Sequence, residues 1–208
     1  MITRALCIED FFETPDEVRE YALSLDYYKS SDGAWPGTRT HPLSEVYPEY
    51  YDYFCQKIYA LLPEFDSPNY YMDLRFQLVE TFENNKRSYK NRGFIHEDQC
   101  PYAGLVYLTP NIEKDCGTSL FEITKPERFI EYSNRERIAK GKYYCAGIDE
   151  NYDECNINND YCFEETVRFN NVYNRMIGYD GNLYHRANSF YSTVGARLTQ
   201  VFFIKIRE

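Results

Sequence analysis

The chain has three histidines, so any imidazole-based metal site must be built from His41, His96 and His185. His96 and Asp98 stand two residues apart, and at the end of a strand that spacing directs both side chains to one face. Nitrogen and oxygen donors together suit a mid-row divalent metal better than calcium, which prefers oxygen alone. With His185 as the natural third ligand, two histidines and one carboxylate on one face of an iron leave the opposite positions open, where a bidentate 2-oxoacid and dioxygen could bind together. By itself the His-x-Asp spacing is common, and the same pair could instead hydrogen-bond within a loop.

Other residue types carry less. His41, after Arg39-Thr40, reads as a surface-loop histidine, with a hydrogen bond to substrate as the alternative. Cys145, Cys155 and Cys162 are too irregularly spaced for a zinc site and read as free thiols. Arg186 alternates to the face opposite His185, where a structural ion pair is expected. The run from Trp35 to Arg39 reads as a loop that either edges an active-site mouth or packs as an aromatic patch.

These residues need a scaffold, and 208 residues suffice for one substantial core. The 22 tyrosines and 14 phenylalanines bias the chain toward pleated surfaces and aromatic-lined pockets. A formal charge of -10 argues against nucleic acid as a partner, since that affinity comes largely from basic residues displacing counterions. It does not exclude a small anion, because local geometry decides that contact. Seven cysteines without a C-x-x-C pair point to thiols of a reducing compartment. Early acidic residues argue against a signal peptide, and no stretch approaches the ~20 apolar residues of a membrane span. The expectation is a soluble, cytoplasmic protein without a membrane partner; oligomeric state is not legible.

Periodicity then places the elements. Thr14-Pro15-Asp16-Glu17 predicts a capping box opening a helix near 15 to 25, and Pro48 opens a second that Pro63 ends. From residue 70 the period becomes two, with Met72, Leu74, Phe76 and Leu78 on one face and Asp73, Arg75 and Gln77 on the other. A return strand is expected to reach Phe94-Ile95 and deliver His96. Further strands are predicted at 102–108, 118–123, 172–179 and 197–206, with a turn at Asp180-Gly181 before His185. Residues 125–170 read as a polar excursion, with a helix at 126–139 and a short one at 163–169. The domain reading is a single unit over 1–208: a mainly helical support at 1–69, barrel strands at 70–124 and 171–206, and the excursion at 125–170 as a lid or wall. The fold class is mainly β with N-terminal helices (α+β).

Five segments occur in a telling order: Phe94-Ile95-His96-Glu97-Asp98, Leu105-Val106-Tyr107-Leu108-Thr109-Pro110, Cys116-Gly117-Thr118-Ser119-Leu120-Phe121, Tyr184-His185-Arg186-Ala187 and Arg197-Leu198-Thr199. From Phe94 to Phe203, about half the chain, the sequence resembles the prolyl-hydroxylase-like branch of the Fe(II)/2-oxoglutarate-dependent oxygenases. The resemblance implies a double-stranded β-helix, a jelly-roll or cupin-like barrel of two facing sheets. It implies Fe(II) on His96, Asp98 and His185, and 2-oxoglutarate gripped through its far carboxylate by Arg197, twelve positions after His185, with Thr199 in place of the usual serine. Tyr107 falls where some relatives hydrogen-bond the cosubstrate, with core packing as the alternative. Cys116-Gly117 replaces a pair of glycines before the fourth strand, which puts the shape of that turn in question. Asp98 occupies a position where related halogenases carry a small residue, which favours hydroxylation or another oxidative outcome.

The implied activity is that of a dioxygenase. It would consume O2, release succinate and CO2, and hydroxylate a C–H bond of a small metabolite, an amino acid or a peptide side chain. Two rival readings stand beside it. One is a non-catalytic binding protein that has kept the barrel; the other is a cupin-like metal enzyme that does not use 2-oxoglutarate, against which Arg197-x-Thr199 speaks.

Overall fold

The structure, a computed structural model, describes residues 4–31, 35–146 and 151–207, with the side chains at 131–137, 139, 145 and 146 outside the description. Strand β1 (Ala5–Ile8) precedes helix α1 (Pro15–Ser24), and two short strands, β2 (Tyr28–Lys29) and β3 (Thr38–Arg39), lead to α2 (Leu43–Val46) and α3 (Pro48–Leu61). The long strand β4 (Tyr70–Val79) is followed by β5 (Tyr102–Tyr107) and β6 (Thr118–Ile123). Helices α4 (Pro126–Ala146) and α5 (Tyr152–Tyr161) then intervene before β7 (Phe163–Phe169), β8 (Met176–Asp180), β9 (Tyr184–Ala187) and β10 (Arg197–Ile206).

The strands form two antiparallel sheets. Seven lie in the order β1-β8-β5-β10-β4-β3-β2, and three in the order β7-β6-β9. Alternation along β4 and β10 divides the large sheet's two faces. Met72, Leu74, Phe76, Phe202 and Ile204 point to one side and pack with Phe54 and Ile58 of α3, Ala22 of α1 and Leu43 of α2. On the other side Leu105, Tyr107, Tyr179 and Val201 meet Leu120 of the small sheet. The polar stripe of β4, Asp73, Arg75 and Gln77, falls on this inner side, where it lines a cavity.

Several expectations are corrected. Thr14 makes no side-chain cap bond, since at ψ 67 it falls short of the extended conformation that aims a cap hydroxyl at the first turn. Thr38 and Arg39 are a short strand paired with Leu78 and Gln77, not loop. The return strand toward Phe94 is absent: a 3-10 turn at Tyr89–Asn91 is followed by irregular chain, and His96 joins the sheet only through one bridge to His185. The helix expected at 163–169 is β7, because β6 offers an open edge that pairs residues 163–169 across its length. The 172–179 strand begins later, at Met176, and the helix at 126–139 runs on to Ala146.

Candidate metal and 2-oxoacid site

His96 and His185 exchange backbone hydrogen bonds, His96 N–H to His185 O at 3.1 Å and His185 N–H to His96 O at 2.8 Å, so two segments far apart in sequence present their imidazoles side by side. The Asp98 N–H donates to Gly181 O at 2.9 Å, which pins the third residue to the turn before β9. Gly181 permits that approach: a Cβ there would lie 2.1 Å from Cys100 O. Gln99, with φ 50, then reverses the chain toward β5 in the left-handed region that non-glycine residues seldom adopt.

The ring orientations are set from behind. His96 Nδ1 lies 2.8 Å from Phe94 O and His185 Nδ1 lies 2.9 Å from Leu183 O. A carbonyl only accepts, so each Nδ1 must carry the proton and each neutral ring turns its Nε2 lone pair inward. There they meet Asp98: His185 Nε2 is 3.2 Å from Oδ2 and His96 Nε2 is 3.5 Å from Oδ1. One ligand atom from each of the three residues lies within 4.8 Å of the others. Three acceptors facing one another need a cation between them, a proton or a metal. Burial opposes the charge of Asp98, yet His185 and His96 hold its carboxyl far below the usual range. Burial also opposes charge on His185, but Asp98 outweighs it and raises the imidazole above its ordinary value.

The segment carrying His96 is clamped from the excursion. Buried Asn159 of α5 accepts from Ile95 N–H at 2.7 Å and donates to Ile95 O at 3.2 Å, replacing the ladder that a return strand would have supplied. Tyr152 donates to Arg92 O at 2.9 Å. Asp160 pairs with Arg186 and with Arg92, so the structural ion pair expected of Arg186 is present.

Arg197 opens β10 between β4 and β5, 3% exposed. Its Nε donates to Cys116 O at 2.8 Å and its guanidinium lies 5.4 Å from the Tyr107 ring centroid, while Nη2 is buried without a partner. Two residues on, the fully buried Thr199 hydroxyl also lacks a partner. Tyr107 donates its hydroxyl to Thr118 Oγ1 at 3.0 Å, which engages it with its own sheet and leaves its ring as the floor beneath Arg197. The turn at Cys116-Gly117 therefore does two things: the Cys116 carbonyl orients Arg197, and Gly117 admits Phe169 O, which a Cβ would meet at 1.9 Å.

Arg197, His96, Asp98, His185, Arg39 and Trp35 line one cavity of about 420 Å³, while Thr199 and Tyr107 are fully buried outside its lining. Tyr179, unremarked in the sequence, packs its ring 4.6 Å from His185. Burial, and then Asp98, push its phenol well above the usual range and keep it neutral. Lys140 and Tyr144 of α4 supply another wall. His41 is exposed against Tyr28, outside the cavity lining. No disulfide joins the cysteines among the described residues, and Cys145 lies outside the described side chains. No helix among the described residues is long and apolar enough to cross a membrane.

With this geometry in view, relatives can be compared. Residues 2–190 match the profile of DUF6445, a family of unknown function. The chain belongs to that family. No curated protein matches it. Among solved structures it is similar to HygX from Streptomyces hygroscopicus with nickel and 2-oxoglutarate bound, at TM-score 0.58 and 15% identity over 98% of this chain and 83% of that one. It is also similar to a prolyl hydroxylase from Trichoplax adhaerens in complex with a peptide of hypoxia inducible factor, at 0.55 and 11% over 97% and 83%. A third is SnoN from nogalamycin biosynthesis, a non-heme α-ketoglutarate-dependent epimerase, at 0.52 and 11% over 98% and 80%. This DUF6445 chain thus has the double-stranded β-helix fold of the 2-oxoglutarate oxygenases, as the sequence resemblance implied.

Proposed function

We propose that the chain is an Fe(II)- and 2-oxoglutarate-dependent oxygenase in which His96, Asp98 and His185 hold the iron, while Arg197 and Thr199 hold the distal carboxylate of 2-oxoglutarate. The observation that carries the reading is a pairing of unmet needs on one cavity. Three converging acceptors require a cation, and the Arg197 guanidinium that lines the same cavity, with Nη2 buried and unpartnered among the described residues, requires an anion. An unpaired buried charge is costly, so a site with both needs is built to be filled. HygX with nickel and 2-oxoglutarate, and HygX with iron, supply the pair of ligands that would meet them on this fold.

Iron with 2-oxoglutarate and O2 would supply an oxidant for a C–H bond, with succinate and CO2 as coproducts. The chain's own residues bind and orient. Phe94 O and Leu183 O fix the imidazole tautomers, Asn159 fixes the His96 segment, and Tyr107 with Cys116 O aims Arg197. Tyr179, held neutral, presents an aromatic wall that keeps water from His185. A cavity of about 420 Å³ suits a small metabolite, an amino acid or one protruding peptide side chain. HygX with hygromycin B and the peptide-bound hydroxylase are instances of both classes on this fold.

Anaerobic titration with Fe(II) and then 2-oxoglutarate should produce the visible charge-transfer band of a chelated 2-oxoacid, and admission of oxygen should yield succinate. A wild-type protein without the band, or a His185→Ala protein that keeps it unchanged, would end this reading.

A further inference from the structure

The cavity that Arg197 lines holds a second, half-buried cation. Arg39, on the short strand β3 between β4 and β2, donates through Nε and Nη2 to Gln77 Oε1 at 3.3 and 3.1 Å. Gln77 in turn donates through Nε2 to Pro36 O at 2.8 Å, which fixes its amide with the oxygen toward Arg39. The guanidinium lies 4.7 Å from the Trp35 ring centroid and 5.4 Å from that of Phe203, so two aromatic rings pack against it. Among the described residues no carboxylate lies within ion-pairing distance of it. Asp73, the nearest acid on the same wall, is taken by Arg75 at 2.7 Å and Lys205 at 3.0 Å. Burial pushes the Arg39 guanidinium down to about 10, against the opposing pull of Asp98.

Beside it a donor is stranded. The Trp35 indole Nε1–H is buried and has no acceptor among the described residues, although Trp35 lines the cavity. A buried indole N–H ordinarily finds a partner, and a half-buried guanidinium without a carboxylate beside it favours an anion. One group would serve both: an acceptor with negative charge. The planar fork of arginine matches a carboxylate, and a single cation without an ion-pair partner matches a monoanion rather than a phosphate.

We infer that Arg39 and the Trp35 indole form a substrate subsite for a carboxylate group, so that the molecule to be oxidised is itself an organic acid, anchored on β3, two strands across the sheet from the β10 residues proposed to hold the cosubstrate carboxylate. The inference deepens the proposed oxygenase reading and rests on it for the word substrate, but the subsite exists without iron. A chain of charge -10 can take an anion there because the local geometry of the guanidinium and indole, rather than net charge, decides the contact.

Trp35 is the single tryptophan of the chain, which makes it a built-in reporter. The metal-free protein is titrated with formate, propionate, benzoate and 3-phenylpropionate, each beside its carboxamide, and with inorganic phosphate, while tryptophan emission is read at excitation beyond the tyrosine band. The expected result is a saturable change with the acids, binding about tenfold or more weaker for the amides and phosphate. Arg39→Lys, which keeps charge and approximate bulk but not the fork, should weaken the acids about tenfold. Arg197→Ala should leave their affinity within about twofold, separating this subsite from the cosubstrate site. No saturable response to any acid, equal response to acid and amide or to phosphate, indifference to Arg39→Lys, or loss with Arg197→Ala would overturn the assignment. Because neither iron nor 2-oxoglutarate is present, a protein that fails the iron titration can still pass this one.

Discussion

Two arginines line one cavity, Arg197 buried and Arg39 half-buried, and they are held differently. Arg197 belongs to a ten-residue strand hydrogen-bonded on both sides, by β4 and β5, with one nitrogen tied to Cys116 O and another unpartnered. Arg39 belongs to a two-residue strand near the sheet's edge, held through one glutamine and two aromatic faces. A group on a long central strand is placed by the whole scaffold, whereas one on a two-residue strand next to the edge is placed by its immediate neighbours. The difference suits a fixed cosubstrate at Arg197 and an adaptable substrate contact at Arg39.

The comparison can be broken most sharply at Arg197. Arg197→Ala should weaken 2-oxoglutarate about a hundredfold or more while leaving Fe(II) affinity within about twofold, as read by the anaerobic charge-transfer titration. Equal loss of both would mean that the variant has collapsed the barrel. Next, Asn159→Leu removes the clamp on the His96 segment. We expect metal affinity to fall about tenfold, with a stability loss of about 1–3 kcal/mol by urea denaturation, and little change in the ratio of 2-oxoglutarate to iron affinity.

Smaller still is Thr199→Val, which removes only the hydroxyl beside Arg197. A drop of about five- to tenfold in 2-oxoglutarate affinity at unchanged stability would mark that hydroxyl as a ligand; a purely structural hydroxyl would move stability instead. The smallest effect concerns the wall near Arg39. Burial opposes ionisation of Asp73, but Lys205 and Arg75 together hold its carboxyl below its ordinary 3.8. A depressed carboxyl contributes stability above its unfolded value and loses it as pH falls through the folded value. Asp73→Asn should therefore narrow the stability gap to wild type on acidification below about pH 4, a difference of about 1 kcal/mol or less given the partly exposed Lys205.

The sheets and the site differ in how far the sequence discloses them. Strands β6 and β10 begin and end where the sequence puts them, because short runs rich in β-branched and aromatic residues bounded by turns are a local signal. His96-x-Asp98 was legible as a local spacing, although the strand expected to carry it is absent. Residues 163–169 were not: all but the first and last are exposed, so no buried stripe marks a period, and only pairing with β6 makes them a strand. The segment before His96 misled in the opposite sense, since apolar Phe94-Ile95 suggests a strand while its actual support is Asn159, 64 residues away in α5.

By itself the sequence determined the types and spacing of the candidate metal and 2-oxoacid residues, the N-terminal helices and the strands with clear alternation, each written in a short local pattern. Only the tertiary structure decided that His96 and His185 face each other across one bridge, that α5 braces the His96 segment, and that Arg39, Gln77 and Trp35 come together on one cavity. The physical reason is that these contacts join residues separated by tens of positions, and no local period or propensity records which distant side chain will supply the missing charge or hydrogen bond.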